Sequence, residues 1–308
     1  MIRRPPRSTR KESSAASDVY KRQLMNIVTG SYEFIQDMNL KSALHARPVR
    51  PPNINSKLGE IDAEVEERLK KKGISLIKNG SFLAVAGTDE YEVIKAADTI
   101  KKSAVWRQLR RFDSTSIFEQ LKNNKRISLQ VVDGVPTERP IVSKTIIEPN
   151  IGSTYSRPYV MHASIAPSAA IAKFEDNQLE IWTHSQGIYL LRASLAELFH
   201  MAQDKIKIYH RINSGCYGHN GADDAAIDAA LVARAVPGTS IVLKWTRQDE
   251  HAWEPYSSAM VMELSAKVDA KKKISSWNHR TFSDTHVSRP KPGQKGLGAA
   301  NLLASRFL

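Results

Sequence analysis

A single cysteine, Cys216, stands among 308 residues. That scarcity excludes an internal disulfide framework, and it excludes an all-cysteine metal site or an iron–sulfur cluster built by this chain alone. Long apolar runs are also missing. The longest nearly apolar stretch, Ala225 to Val236, is interrupted by Asp228 and Arg234, whereas a membrane helix needs about 18 consecutive apolar residues. No segment reads as a membrane span. There is no Gly-x-x-x-x-Gly-Lys-Ser/Thr phosphate loop, no Gly-x-Ser-x-Gly elbow and no His-Glu-x-x-His. Gly296-Leu-Gly298-Ala-Ala-Asn301 approaches a dinucleotide fingerprint but lacks the last glycine and a clear preceding strand. Internal repeats are absent.

What is present is a globular composition, with 41% hydrophobic and 25% charged residues, which excludes wholesale disorder. The length suits one large domain or two medium ones. Lys and Arg outnumber Asp and Glu by 45 to 32. Part of that excess lies in Met1 to Gln23, which carries seven basic and two acidic residues and no apolar periodicity. This stretch has no apolar core for a secretory signal, and Pro5-Pro6 and Glu12 argue against an amphipathic transit helix. It resembles a translated sequencing adapter, so it is set apart as a non-native, disordered leader. The remaining 38 basic residues face 30 acidic ones. A positive balance favours anionic partners, among them a phosphate-bearing cofactor as well as nucleic acid. Nucleic-acid binding calls for a contiguous basic face with interleaved aromatics. Here the basic residues are scattered, apart from Lys70–Lys72 and Lys101–Lys102 at expected helix ends and Lys271–Lys273 in an expected hairpin loop. A non-catalytic anion- or nucleic-acid-binding protein is therefore the alternative reading, and nucleic acid is not expected as a partner.

The pattern predicts an α+β fold in two units. In the first, residues 24–111, Glu60–Lys72 reads as a helix with Ile61, Val65 and Leu69 on one face and Gly73 just beyond it. Ile74–Ile77 and Phe82–Ala86 flank Asn79-Gly80, a tight-hairpin signal. Asp89–Val105 is amphipathic through Val93, Ala97, Ile100 and Ala104. Residues 112–151 read as a connecting segment, with strands at Ile127–Val132 and Ile141–Ile147 around a Gly134-Val135-Pro136 turn. The second unit, residues 152–308, offers strands at Tyr159–Ile165, Ala170–Phe174, Leu179–Thr183, Lys205–His210, Ile241–Trp245, Ala259–Val268 and Ile274–Phe282. Helices are expected at Leu191–Met201 and Asp223–Val236.

The most informative feature is the run Asn213-Ser-Gly-Cys-Tyr-Gly-His-Asn-Gly221 between a strand and an alanine-rich helix. Glycines allow positive φ and close backbone approach, so several peptide N–H groups can converge on an anion, aided by the helix N-terminus. Asp223 and Asp224 at the helix start are expected to cap the helix and to oppose an anion. A tight turn that needs glycine for geometry alone is the competing reading. Cys216 reads as a small residue packed beneath a ligand in preference to a nucleophile. His251 and Glu254 have the spacing of some metal ligands without an evident third, and read as part of an aromatic-rich strand end with Trp253 and Tyr256. His162, His184 and His210 read as structural histidines beside strands.

Three segments, taken in order, carry a resemblance: Pro158-Tyr-Val-Met-His-Ala-Ser-Ile-Ala-Pro167, Ile181-Trp-Thr-His-Ser-Gln-Gly187 and Ser214-Gly-Cys-Tyr-Gly-His-Asn-Gly-Ala-Asp-Asp224. They resemble the large molybdopterin-binding subunit of the molybdenum hydroxylases, the xanthine dehydrogenase and aldehyde oxidase superfamily. Cys-Tyr-Gly-His-Asn-Gly and Thr246-Arg-Gln-Asp-Glu-His-Ala-Trp-Glu-Pro255 look most like its nicotinate dehydrogenase and isoquinoline oxidoreductase branch. Leu44-His-Ala-Arg-Pro-Val-Arg-Pro-Pro52 is similar to the start of the family's small hammerhead α/β domain. The resemblance runs over residues 24–308.

The resemblance implies a molybdopterin cofactor, as a dinucleotide, in a truncated cofactor-binding domain at 152–308. By the same resemblance Gln186 lies beside an oxygen or sulfur ligand of the molybdenum. Gly215, Cys216, Tyr217, Gly218 and His219 correspond to the loop that faces the metal's oxygen ligands and the pterin. No catalytic residue is assigned, because the family's general-base glutamate sits in a Gly-Val-Gly-Glu-like motif with no counterpart here. The family's substrate-orienting arginine likewise has none near Ser257. The chain is accordingly read as a gene fragment of a longer enzyme, inactive alone, or as a catalytically dead family scaffold. The parent activity implied is hydroxylation of an N-heteroaromatic ring carbon or an aldehyde carbon, with water as the oxygen source. The implied partners are a small subunit carrying iron–sulfur clusters, an electron acceptor such as a cytochrome, and a small N-heterocycle or aldehyde substrate. Compartment stays open between cytoplasm and periplasm.

Overall fold

The computed structural model describes residues 24–38, 40–54, 56–109, 113–125, 129–138, 147–284 and 289–293. The leader, most of the predicted strand Ile141–Ile147 and everything beyond 293 lie outside them.

The first stretch runs β1 (Leu44–Pro48), β2 (Ser56–Leu58), α1 (Ala63–Lys71), β3 (Ser75–Asn79), β4 (Phe82–Gly87), α2 (Glu90–Ser103) and β5 (Trp106–Gln108). Both helices begin where a carboxylate can cap them. Asp62 accepts from the Glu64 N–H and Asp89 from the Glu92 N–H, each at 2.9 Å. Both end in basic residues, Lys70 and Lys71 in α1 and Lys101 and Lys102 in α2, which complement the carbonyl end of the dipole. Next come α3 (Ile117–Asn123), β6 (Gln130–Val132) and β7 (Val135–Thr137). This small hairpin turns at Asp133-Gly134, not at the predicted Gly134-Val135-Pro136. Asp133 and Gly134 both take positive φ, as a tight two-residue turn requires, which leaves Val135 and Pro136 in the strand.

The chain continues through β8 (Ile151–Arg157), β9 (Ala169–Glu175), β10 (Gln178–Thr183), α4 (Ile188–Phe199), β11 (Ile206–His210), α5 (Ala222–Ala235), β12 (Ser240–Lys244), α6 (Arg247–Trp253), β13 (Met260–Val268) and β14 (Ile274–Ser283). The predicted strand Tyr159–Ile165 does not form. Only Val160 makes a bridge, to Ser257. The Glu254 side chain takes the N–H groups of His162 and Ala163, and Ala163 has φ 54°, so the segment cannot present a ladder edge. Nor do His251 and Glu254 sit at a strand end. His251 is in α6 and Glu254 caps it, behind a Thr246–Asp249 capping box.

Seven strands form one sheet in the order β11-β10-β9-β12-β1-β4-β3. β1 pairs with β12 in parallel, Leu44 to Ala46 against Ile241 to Leu243, and β10 pairs with β11 in parallel. The other pairings are antiparallel. The sheet therefore draws strands from both 24–111 and 152–308. A second sheet, β14-β13-β8, packs Val261 and Phe282 against Leu121 of α3.

Strand alternation divides the core between the faces of the large sheet. On one face Ala170, Ala172, Ile181, Ile241, Leu243, Phe82, Ala84 and Ala86 meet α4 and α5. On the other, Leu83 and Val85 meet Val65, Leu69, Val93 and Ile100 of α1 and α2. Farther along that second face, Ala169, Ile171 and Val242 are covered by Ile35 and Met38. α5 is buried along its length from Ala222 to Ala233. Its alanines let the helix backbone approach the sheet closely, which fixes the position of everything at its N-terminus.

Candidate functional site

The parallel pairing of β10 with β11 brings two connections to one place. In register Thr183 lies opposite His210, so both strands end together. Gln186 follows three residues after β10, and the glycine loop leaves β11 beside it. In open α/β sheets this carboxyl end of parallel strands is where ligands sit.

The loop is held in a conformation that glycine makes possible. Gly215, Tyr217 and Gly218 have φ of 91°, 50° and 140°. A Cβ on Gly218 would lie 2.1 Å from His162 Cδ2, so the loop rests directly on that imidazole. His162 is fixed in turn by Ser257, whose Oγ is 3.0 Å from Nε2. The Tyr217 ring folds back over Gly215 and stays exposed. Lower down, a Cβ on Gly221 would lie 2.4 Å from Trp245, which marks where the loop enters the core.

Gln186 and Cys216 are brought together: the amide Nε2 donates to the Cys216 Sγ at 2.9 Å, and the thiol donates to the Gly218 carbonyl at 2.9 Å. Among the described residues, the N–H groups of Gly215, Cys216, Tyr217 and Gly218 have no protein acceptor. This donor set of peptide N–H groups with a neighbouring amide suits the oxo-anion end of a molybdopterin cofactor or a phosphate.

The two aspartates do not behave as the sequence predicts. Helix α5 has no side-chain cap at Gly221, and Asn220 Oδ1 accepts from the Ala222 N–H at 3.3 Å. Asp223 and Asp224 are buried instead. Asp223 accepts from Ser185 Oγ, lies 3.0 Å from His219 Nε2 and accepts from Arg289 Nη1 at 3.0 Å. Burial works against its charge, but the His219 and Ser185 hydrogen bonds and the Arg289 charge outweigh it and hold the carboxyl below its usual range. The charge that was expected to repel an anion is thus matched locally. Burial pushes Asp224 well above the usual carboxylate range; the Arg50 charge opposes it, and Asp228, Asp223 and Glu250 add to the rise. His219 Nε2 is turned to the Asp223 carboxylate at 3.0 Å.

A ring of buried polar groups carries the loop from below. Glu250, fully buried, accepts from the Ser168 N–H at 2.7 Å, from Ser168 Oγ at 3.0 Å and from the Gly221 N–H at 3.5 Å. Asn220 Nδ2 donates to Ser164 Oγ at 3.1 Å. Arg247 donates to the carbonyls of Ser164 and Ile165. Glu250, Ser168, Arg247, Ser185 and Arg289 carry no sequence expectation as part of the site, and Asp223 is expected there only as a helix cap. Acidic residues inside an alanine-rich apolar helix were the one available signal.

His184 lies in the same ring, where its Nε2 accepts from the Ala169 N–H at 3.3 Å. Burial pushes its pKa down to about 4. The unfolded imidazole titrates near 6.5, so below that pH the unfolded chain binds a proton the folded chain refuses. Stability is lost as pH falls from about 6.5 towards 4, by roughly 3 kcal/mol over the whole window. His184→Gln removes this component. Urea unfolding at pH 7 and pH 5 is expected to show a smaller pH difference for the variant than for wild type, and equal differences would contradict the assignment.

Residues 148–298 match the model of a family described as the molybdopterin cofactor-binding domain. Among curated proteins the chain is similar to one of the subunits of nicotinate dehydrogenase from Pseudomonas putida, 30% identical over 82% of this chain and 22% of the relative. It is also similar to the beta subunit of isoquinoline 1-oxidoreductase from Brevundimonas diminuta, 27% identical over 42% of this chain and 17% of the relative. The chain thus spans about a fifth of the length of these relatives. Among solved structures, quinoline 2-oxidoreductase from Pseudomonas putida 86 superposes with a TM-score of 0.62 at 15% identity, over 84% of this chain and 38% of that one. Aldehyde oxidoreductase from Desulfovibrio gigas gives 0.60 at 17% identity, over 79% and 32%. These two likenesses show the fold.

Proposed function

From the premise that this chain contains a molybdopterin cofactor-binding domain of the molybdenum hydroxylase type, we propose that it is part of the large subunit of a molybdenum-dependent oxidoreductase. The observation that carries the proposal is the cradle: four peptide N–H donors without acceptors among the described residues, beside the Gln186 amide. When bound, the cofactor supplies two-electron redox chemistry and oxygen transfer from water. This chain's residues hold and orient it. Gln186 would donate to an oxygen or sulfur ligand of the bound metal, and the N–H groups of Gly215 to Gly218 would hold its oxygen ligands and the pterin. Cys216 and Tyr217 supply side-chain contact at the rim, and His219 acts by stabilising Asp223. The cofactor is proposed in its dinucleotide form.

The substrate proposed is an N-heteroaromatic compound or an aldehyde, from the names of the relatives. The proposed partners are a small subunit carrying iron–sulfur clusters, which the single cysteine of this sequence would not ligate, and an electron acceptor such as a cytochrome. The general base is supplied outside the described residues. Residues 24–111 are proposed as a hammerhead-like unit and 152–308 as the cofactor-binding unit, joined by 112–151 and sharing the seven-stranded sheet.

The test is turnover of the holoenzyme in ¹⁸O-water with nicotinate, isoquinoline or benzaldehyde and a dye acceptor. The expected product carries one ¹⁸O, and Gln186→Ala is expected to lose about a hundredfold or more in turnover, the scale of removing a preorganised donor. Full turnover of Gln186→Ala at unchanged molybdenum content would remove Gln186 from the site.

A further inference from the structure

We infer that Arg289 is the positioning residue that fixes the Gln186 amide as a hydrogen-bond donor toward the glycine loop, an inference that rests on the reading of the loop and Gln186 as the cofactor cradle. A glutamine amide has two faces of nearly equal shape, one an acceptor and one a donor, and a half-turn about its last bond exchanges them. For an oxo-anion only the NH₂ face is useful. Something must therefore select that face, and Cys216 alone does not, because a thiol both donates and accepts.

Arg289 makes the selection. Its guanidinium has no acceptor capacity, so whichever part of Gln186 it touches must be the carbonyl oxygen. It donates from Nη2 to Gln186 Oε1 at 2.6 Å. That contact turns Nε2 toward Cys216 and the loop, where it donates to Sγ at 2.9 Å. The guanidinium is itself held in place. Nη1 donates to Oδ2 of the buried Asp223 at 3.0 Å, an oxygen it shares with His219 Nε2, while Ser185 Oγ donates to Oδ1. The arginine stem is seated on Gly187, where an added Cβ would lie 3.3 Å from Arg289 Cδ. The planar fork thus bridges a buried carboxylate and the amide oxygen at once, which a lysine, as a single point charge, does not reproduce. Arg289 comes from 66 residues beyond Asp223, and from outside the strand-and-loop unit it controls.

Cys216, the only cysteine in the chain, reports the amide directly. Its alkylation by iodoacetamide is measured on the full chain for wild type, Arg289→Met, Gln186→Met and the double variant, with Arg289→Lys as the milder change. Because the thiolate is the nucleophile and a donor to sulfur favours it, freeing the sulfur from its amide donor is expected to lower the rate at about pH 7. The fall is about threefold, the factor one ordinary hydrogen bond carries once the weaker nucleophilicity of a more acidic thiolate is counted. Arg289→Met and Arg289→Lys are each expected to lower it, and Arg289→Met is expected to add nothing in the Gln186→Met background, because it acts through Gln186. An unchanged or faster rate in Arg289→Met, or the same decrease in both backgrounds, overturns the inference. Gln186→Glu separates this from the cradle reading. It keeps an acceptor for Arg289 but has no donor, so molybdenum retained per chain is expected to fall about tenfold. If Gln186→Glu keeps its molybdenum while the alkylation coupling holds, the cradle reading fails and the orientation by Arg289 stands. If molybdenum is lost without the coupling, the reverse follows.

Discussion

Gly218→Ala is expected to destabilise the folded chain by about 2–4 kcal/mol and to empty the cradle. Two causes combine. The φ of 140° is one that side-chain-bearing residues rarely adopt, and the new methyl group would sit 2.1 Å and 2.4 Å from the Cδ2 and Nε2 atoms of His162. The ring has no easy retreat, because Ser257 holds its Nε2 and Glu254 holds the residue's own N–H. The loop must therefore lift, and lifting it moves the N–H groups of Cys216 and Tyr217 away from Gln186. A urea titration measures the loss of stability. An unchanged midpoint would mean that the loop does not rest on His162.

The second large effect is expected at the junction between the first stretch and α5. Arg50 is 4% exposed and ion-paired to Asp228, itself 2% exposed. Trp245 Nε1 donates to the same carboxylate at 2.9 Å, and the guanidinium lies 5.0 Å from the Trp245 ring centroid and 5.9 Å from that of Trp253. Asp228→Ala strands a buried cation and an indole N–H, a change that costs about 3–5 kcal/mol in such settings. Asp224 feels the Arg50 charge and has no hydrogen-bond partner of its own among the described residues, so its ionisation offsets part of the loss. About 3 kcal/mol is the expected net cost. The paired change Arg50→Met with Asp228→Leu removes both charges together and is expected to recover most of it. If Asp228→Ala unfolds at the same urea concentration as wild type, the pair contributes nothing to joining the two stretches.

Much of this arrangement was legible in the sequence. The helices at Ala63–Lys71 and Asp89-capped Glu90–Ser103 lie within the predicted Glu60–Lys72 and Asp89–Val105, because periodicity, acidic caps and basic ends agree there. The hairpin expected at Asn79-Gly80 forms, with its turn one residue later at Gly80-Ser81 because Asn79 pairs with Phe82. What escaped was whatever depends on contacts distant in sequence. β1 pairs with β12 nearly two hundred residues away, and no local pattern announces a parallel neighbour. Tyr159–Ile165 alternates like a strand but loses its N–H groups to a glutamate ninety residues on. Helix α6 was missed although Thr246 and Asp249 spell out its capping box, because the aromatic residues behind it suggested a strand.

The site divides the same way. Gln186 and the glycine loop were named from motifs, and the structure places the Gln186 amide 2.9 Å from the Cys216 thiol at the ends of paired strands. The meaning of Asp223 could not be read from its position at a helix start. Only folding shows Ser185, His219 and Arg289 converging on it, which turns an apparent obstacle to anion binding into an anchor.

The most direct test of the central claim, that this chain carries a cradle for the molybdenum cofactor, is the molybdenum and pterin content of the purified chain after expression in a host that makes the cofactor. Wild type is expected to retain both in equal amounts, and Gly218→Ala neither. A folded wild-type chain with no molybdenum and no pterin, or a Gly218→Ala chain that holds as much as wild type, would contradict the account.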